Sequence, residues 1–367
     1  MHTERRSPGV LKWRITCRRP VIVVVIPLDT MPGTYTNEDQ INDLSHGRPH
    51  LVILGAGASL AACPDGDASG IRLPLMNDLI ETVSLGAELD SAGIQWKNRN
   101  FEDVYAELCD EGTLADTASQ LNNAIAEYFG SMQLPDEPNI YDYLVLGLRP
   151  KDVIATFNWD PFLWQALARN RSVASPPHFL FLHGCSVVGH CVADRQQGYV
   201  GRPCPKCNQS LAPTKLLYPV TDKDYVTDPY ISTQWNLLKE VLEKVYLVTV
   251  FGYAAPPTDA AAIDLMQTSW GPSESREFED IEIIDIKPED ELADTWDAFI
   301  HSSHYSITSS FFKSLVFDHP RRTCEAMWAQ FMDAKIIDAN SPPREPANLQ
   351  ELQQWYSELV DVEVSAV

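Results

Sequence analysis

Three stretches of the chain put glycine or polar residues directly after an apolar run, and a fourth gathers cysteines. In "HLVILGAGASL" the run ends in Gly55, Ala56, Gly57, Ala58 and Ser59. Glycine lets the backbone turn tightly and approach a pyrophosphate, whose charge is met by amides at a helix start. A tight turn with no ligand uses the same residues. In "DVIATFNWD" the run ends in Asn158 and Asp160. An asparagine there orients a ribose hydroxyl or a water. The aspartate takes a charge or, in front of Pro161, caps a helix. In "HFLFLHG" the run ends in His183. Neutral imidazole is the usual general base near neutral pH, although a histidine at a strand end is also an ordinary packed residue. Cys191, Cys204 and Cys207 are spaced Cys-x12-Cys-x2-Cys, and Cys204-Pro-Lys-Cys207 is one half of a zinc knuckle. Three positions after Cys191 stands Asp194, not a cysteine. His190, Asp194 and Cys185 are the candidates for a fourth ligand. A site closed by four protein ligands is structural, not catalytic.

The elements that must hold these residues alternate. Unbroken Val/Ile/Leu runs suit parallel strands covered on both faces. They occur at residues 50–54, 152–157, 178–182, 246–251 and 281–286. Between them lie helical patterns. Residues 74–143 repeat apolar positions three and four apart, "PFLWQALA" carries proline in its first turn, and "ISTQWNLLKEVLEKV" puts Ile231, Trp235, Leu238 and Leu242 on one face. "TDAAAIDLM" starts behind Thr258 or Asp259 as cap. Residues 185–215 read as irregular, and the chain after 290 reads as helical to about 333, with a last short helix in "LQELQQWYSEL". Strand–helix alternation predicts an open parallel α/β sheet, and in such sheets ligands sit beyond the carboxyl ends of the strands.

The 367 residues carry a net charge of −23, and 44% are apolar. Residues 1–30 hold six Lys/Arg against two Asp/Glu, which leaves −27 on the rest. We expect those residues to be a flexible extension. A chain so acidic, with no basic stripe, repels phosphate backbones and argues against nucleic-acid binding. No apolar run reaches the roughly 18–20 residues of a membrane helix. Four of the eight cysteines fall within residues 185–207, a clustering that reads as a metal site in a reducing compartment, not a disulfide framework.

Taken in order, GAGAS, TFNWD, LHG, the cysteine knuckle and GYA (252–254) resemble the sirtuin-like NAD-binding family over about residues 50–290. Thr156, Asn158 and Asp160 match its T-x-N-x-D motif, and His183 and Gly184 match its His-Gly. The details resemble the family's divergent bacterial branch, whose members are typically NAD-consuming enzymes of anti-phage defence. Cys191 stands eight positions after His183, Pro219 and "DKDY" match a Pro…Lys-x-Tyr segment, and Gly252, Tyr253, Pro257 and Asp259 match a G-Y-x-x-x-P-x-D turn. The Phe-Gly-Glu segment by which sirtuin deacylases clamp an extended peptide is not visible after residue 207. The chain departs from the sirtuin pattern at Phe157 (Gln in the motif), at Ala254 (Ser in the last turn) and at Asp194 (Cys in the ribbon).

The resemblance implies an α/β fold, a Rossmann-like parallel sheet with a helical insert at 75–147 and a small zinc-ribbon-like insert at 185–215. The catalytic domain would span 47–333, after an N-terminal extension (1–46) and before a C-terminal tail (334–367). The implied activity is a cytoplasmic NAD glycohydrolase that cleaves NAD to nicotinamide and ADP-ribose in bacterial anti-phage defence. A protein deacylase using the same cofactor and a non-catalytic NAD or ADP-ribose sensor are the alternatives. On this reading Gly55, Ala56, Gly57 and Ser59 hold the pyrophosphate, with Thr156 beside them. Asp285 accepts from the adenosine ribose, and Gly252 and Tyr253 let the chain pass close. Asn158 orients the nicotinamide ribose or water, His183 draws a proton, Asp160 stabilises an oxocarbenium ion, and Gly184 leaves room for a ribose. Cys185 falls outside the usual ligand set, so Cys191, Asp194, Cys204 and Cys207 are expected to hold a structural zinc. A homo-oligomer or a partner within the defence system is expected, with no membrane.

Overall fold

A computed structural model of the chain describes residues 33–110, 115–218, 225–256, 259–301 and 304–366. The basic extension expected at residues 1–30, and Pro219, Lys223 and Pro257 of the family match, lie outside the described residues.

The five apolar runs and one further strand form one parallel sheet: β1 (His50–Leu54), β2 (Val153–Thr156), β3 (His178–Phe181), β4 (Leu247–Phe251), β5 (Asp280–Ile284) and β6 (Tyr305–Thr308). Their order across the sheet is β6-β5-β4-β1-β2-β3. Read from the other edge this is 3-2-1-4-5-6, the doubly wound order whose strand sequence reverses between β1 and β4. Every residue of β1 and β4 is buried, as strands covered on both faces must be.

Helix α1 (Ala56–Ala62) leaves β1, and α2 (Ile140–Gly147) and α3 (Phe162–Asn170) pack together around the crossover to β3. Helix α4 (Pro229–Leu242) buries Ile231, Trp235, Leu238 and Leu242, the face read from the sequence. Asp228 caps it by accepting from the Tyr230 and Ile231 amides at 3.0 and 2.9 Å. It packs on α5 (Ala260–Trp270), whose N-cap is Asp259. Helix α6 (Glu289–Trp296) joins β5 to β6. No helix among the described residues is long and apolar enough to cross a membrane.

Three features differ from the sequence reading. Thr34–Tyr35, in the expected N-terminal extension, and Ile336–Ile337, in the expected tail, pair as two short parallel strands. Strand β6 was read as part of a helical remainder. It is an edge strand, half-exposed and short of apolar residues, so it carries no buried-strand pattern. The stretch 185–215, read as irregular, holds a small antiparallel sheet of Val188–Cys191, Gln196–Tyr199 and Ala212–Pro213. Those strands are too short and polar to signal themselves.

Register aligns the strand ends. Leu54 pairs with Thr156 and Phe251, Thr156 with Phe181, Phe251 with Ile284, and Ile284 with Thr308. The next residues, Gly55, Phe157, Leu182, Gly252 and Asp285, therefore line one edge of the sheet. GAGAS, LHG and GYA begin on this row, and TFNWD begins one residue before it.

Near the opposite end, polar side chains are buried in a line. His50 Nε2 lies 2.8 Å from the Thr249 hydroxyl, which donates to Glu282 at 2.8 Å. Burial pushes the Glu282 carboxyl up to about 7, although the Leu315 amide and the Thr249 hydroxyl partly oppose the shift. A folded-state pKa above the usual carboxylate value means that the unfolded chain loses its proton first. This group's contribution therefore favours folding less as pH rises from about 4.5 to 7. We expect Glu282→Gln to reduce the fall in melting temperature between pH 5 and pH 8. An undiminished fall in the variant would show that Glu282 is not its source.

Candidate functional site

The glycine turn is built by close contact with the end of β4. The Gly55 amide donates to the Phe251 carbonyl at 3.0 Å, and the Gly57 amide to the Gly252 carbonyl at 2.9 Å. A Cβ on Gly55 would meet the Gly252 oxygen at 2.5 Å, and one on Gly252 would meet the Ala58 nitrogen at 2.4 Å. Gly252 also has a φ of +62°, a left-handed backbone that favours glycine. The sequence reading gave these glycines to a pyrophosphate. In the structure they first serve the chain's own crossing, and two of the expected amides are already bonded. The Ala56 amide has no partner among the described residues, and Ala56 is exposed.

Asn158 is clamped onto this turn. Its Nδ2 donates to the Gly55 carbonyl at 2.9 Å and to the Ser59 hydroxyl at 3.0 Å. Thr156 contributes from behind, its hydroxyl accepting the Asn158 amide at 3.0 Å. Ser59 donates to Asp160 at 2.6 Å and lies 2.6 Å from the Tyr141 hydroxyl. A serine has one proton to give, so Tyr141 donates to Ser59, which is then fully satisfied. Asp160 is buried beneath Ser59, and its other oxygen accepts the Phe162 amide at 3.2 Å. Burial pushes its carboxyl up to about 6. Asp160 thus anchors the network, one side chain removed from Asn158, and holds the first amide of α3, whose N-cap is Pro161 and not the aspartate.

His183 enters the same edge from β3. Its ring meets Phe157 edge-on with centroids 4.8 Å apart, and its Nε2 lies 3.4 Å from the Tyr225 hydroxyl. Phe157 in turn stacks on Tyr253, with centroids 4.1 Å apart and planes within 1°. The Tyr253 hydroxyl donates to Asp259 at 2.9 Å. Asp285 is half-buried at the end of β5, where its carboxylate accepts the Lys287 amide at 3.0 Å. Gly184 was expected to make room for a ribose. Its φ is +77°, and a Cβ there would meet the Lys215 carbonyl at 2.2 Å, so its bareness serves the chain returning from the insert.

The edge therefore brings together Gly55, Ala56, Gly57, Ser59, Thr156, Asn158, Asp160, His183, Gly252 and Tyr253, with Asp285 farther along the row. Tyr141 was missed. It lies 82 positions from Ser59, in a helix whose every residue is buried, and nothing local distinguishes it from core. The ring partnership of Phe157 was equally invisible, because it depends on register across β1.

The cysteine cluster has the geometry of a metal site. One ligand atom from each of Cys191, Asp194, Cys204 and Cys207 lies within 4.8 Å of all the others. The Cys191 sulfur is 3.5 Å from Asp194 Oδ2 and 3.6 Å from the Cys207 sulfur, and the Cys204 sulfur is 3.4 Å from Asp194 Oδ2. A zinc tetrahedron of thiolates and one carboxylate has edges of about 3.5–3.8 Å, so the donors fit. The other candidate ligands are elsewhere. The His190 ring packs on Tyr230 with centroids 4.7 Å apart, and Cys185 is buried with its thiol pushed up to about 12. We expect the purified protein to carry about one zinc per chain. Asp194→Ala and Cys204→Ser should lose it faster to a chromogenic chelator and melt several degrees lower. Elemental analysis finding almost no zinc in the parent protein would exclude the site.

No family model matches the chain, and no curated protein matches it. Among solved structures, the chain is similar to a Sir2 homologue in complex with NAD (15% identity, 80% of this chain, 92% of that chain, TM-score 0.38). It is similar to a Sir2 homologue mutant in complex with 2′-O-acetyl ADP-ribose (16%, 76%, 88%, TM-score 0.37). A Sir2 bound to an acetylated peptide is a third (13%, 78%, 93%, TM-score 0.33).

Proposed function

We propose that the protein is an NAD glycohydrolase that cleaves NAD to nicotinamide and ADP-ribose. The observation that carries this reading is the placing of Asn158 and His183. Asn158 is fixed by its amide to the carbonyl of the glycine turn, and His183 stands just past the end of the neighbouring strand at the same edge. That edge adjoins the switch point between β1 and β4, where doubly wound sheets bind dinucleotides.

The reaction breaks the bond between the nicotinamide nitrogen and the ribose and joins a water oxygen to that carbon. A proton must leave the water or a ribose hydroxyl, and His183 takes it. Asn158, whose nitrogen is committed to Gly55 and Ser59, presents its carbonyl oxygen to a ribose hydroxyl or the attacking water. The exposed Ala56 amide meets a phosphate, and Asp285 meets the distal ribose. Asp160 contributes by holding Ser59 and, through it, the amide of Asn158. Zinc, when bound, is a structural clip in the insert and takes no part in this chemistry. The bacterial branch that the motifs resemble assigns such an activity to anti-phage defence in the cytoplasm, with assembly as a means of control.

The test is nicotinamide release from NAD, followed chromatographically. We expect turnover by the parent protein and a fall of at least about 100-fold in Asn158→Ala and in His183→Ala. Equal rates in all three would remove these residues from the chemistry. Release that requires an acetyl-lysine peptide would move the assignment to deacylation.

A further inference from the structure

Phe157 and Tyr253 do more than fill space. Phe157 follows β2 directly and Tyr253 follows β4 after Gly252, so their stacked rings bridge above the end of β1, over the crossing of Gly55 with Gly252. In a sheet of this order that is where a ligand must enter. The two rings are held differently. Phe157 is fixed to the sheet, its amide bonded to the Leu54 carbonyl at 3.0 Å and its ring buttressed edge-on by His183 and Trp235. Tyr253 sits in a segment without regular structure, between Gly252 at φ +62° and Ala255 at φ +47°. Its hydroxyl is tied to Asp259, and its ring lies beside Trp296 with centroids 6.2 Å apart.

We infer that Phe157 and Tyr253 form a ring clamp that parts to take a flat cationic heteroaromatic ring, the pyridinium of oxidised NAD, between its faces. This rests on the NAD reading above and assigns that site its preference for one end of the substrate. At 4.1 Å the rings are in direct contact. A guest in van der Waals contact with both needs them about 7–8 Å apart, so Tyr253 moves by about the thickness of one ring. Each face then lies well inside the roughly 6 Å within which an aromatic ring attracts a cation. The His183 ring, perpendicular to Phe157 with centroids 4.8 Å apart, touches the residue that would cover one face of such a guest. Two aromatic faces carry no hydrogen-bonding groups for the carboxamide. The clamp therefore selects for planarity and positive charge, and disfavours the neutral, puckered dihydropyridine of reduced NAD.

The test compares two ligands that share everything except the pyridinium. Binding of oxidised NAD and of ADP-ribose is measured by calorimetry in a His183→Ala background, which prevents turnover. We expect Phe157→Ala to weaken NAD by about tenfold or more while ADP-ribose changes less than about twofold. Phe157→Tyr should restore NAD binding, which also controls for folding. An equal loss for both ligands, or no loss for either, overturns the clamp while leaving the NAD reading intact. If the background protein binds neither ligand, the NAD reading fails and the clamp fails with it.

Discussion

The backbone crossing of Gly55 and Gly57 with Gly252 is the constraint on which the rest of the site depends. It joins the ends of the two central, fully buried strands at the point where strand order reverses. A single methyl on any of the three would press on backbone at 2.4–2.8 Å, with no flexible side chain to give way. Because the crossing is so tight, the Gly55 carbonyl is left facing β2, where it receives Asn158. Tyr253, the residue after Gly252, is carried over the turn and onto Phe157. Asn158 and Tyr253 are thus placed by the main chain of the crossing.

Polar groups are distributed with equal economy. The Ser59 hydroxyl, Tyr141 phenol and Asp160 carboxylate are buried together, and each is paired. A buried network of this kind specifies its arrangement only when every member is satisfied. Ser59 meets that condition through its one donated and two accepted bonds. The cost appears as the raised carboxyl of Asp160. It is the same cost that the His50, Thr249 and Glu282 line incurs elsewhere in the sheet.

Much of this was legible because it is local. Unbroken apolar runs marked five of the six strands, and the residues ending them marked the edge. The period of 3.6 found the buried face of α4, and Asp194 stood out by replacing a cysteine in a spaced set. What was hidden is what depends on pairing between distant residues. Tyr141 lies 82 positions from the serine it serves, and its helix is apolar on every side. The glycines are ambiguous for a related reason. A bare backbone position records that something comes close, and the sequence alone does not distinguish a ligand from the chain itself. Gly184 illustrates the point, since its neighbour is Lys215.

That same contact has a consequence for how this insert changes over evolutionary time. The excursion that carries the cysteines departs at Cys185 and returns at Thr214. There the Thr214 hydroxyl accepts the Cys185 amide at 3.0 Å and donates to the Cys185 carbonyl at 2.9 Å. Three residues later the Leu217 amide closes on the His183 carbonyl at 3.0 Å. The loop is sewn shut at its base. Lengthening a loop whose ends are already joined costs only about 0.6 kcal/mol for each doubling. The insert can therefore change length at little entropic cost while the histidine at its root keeps its place.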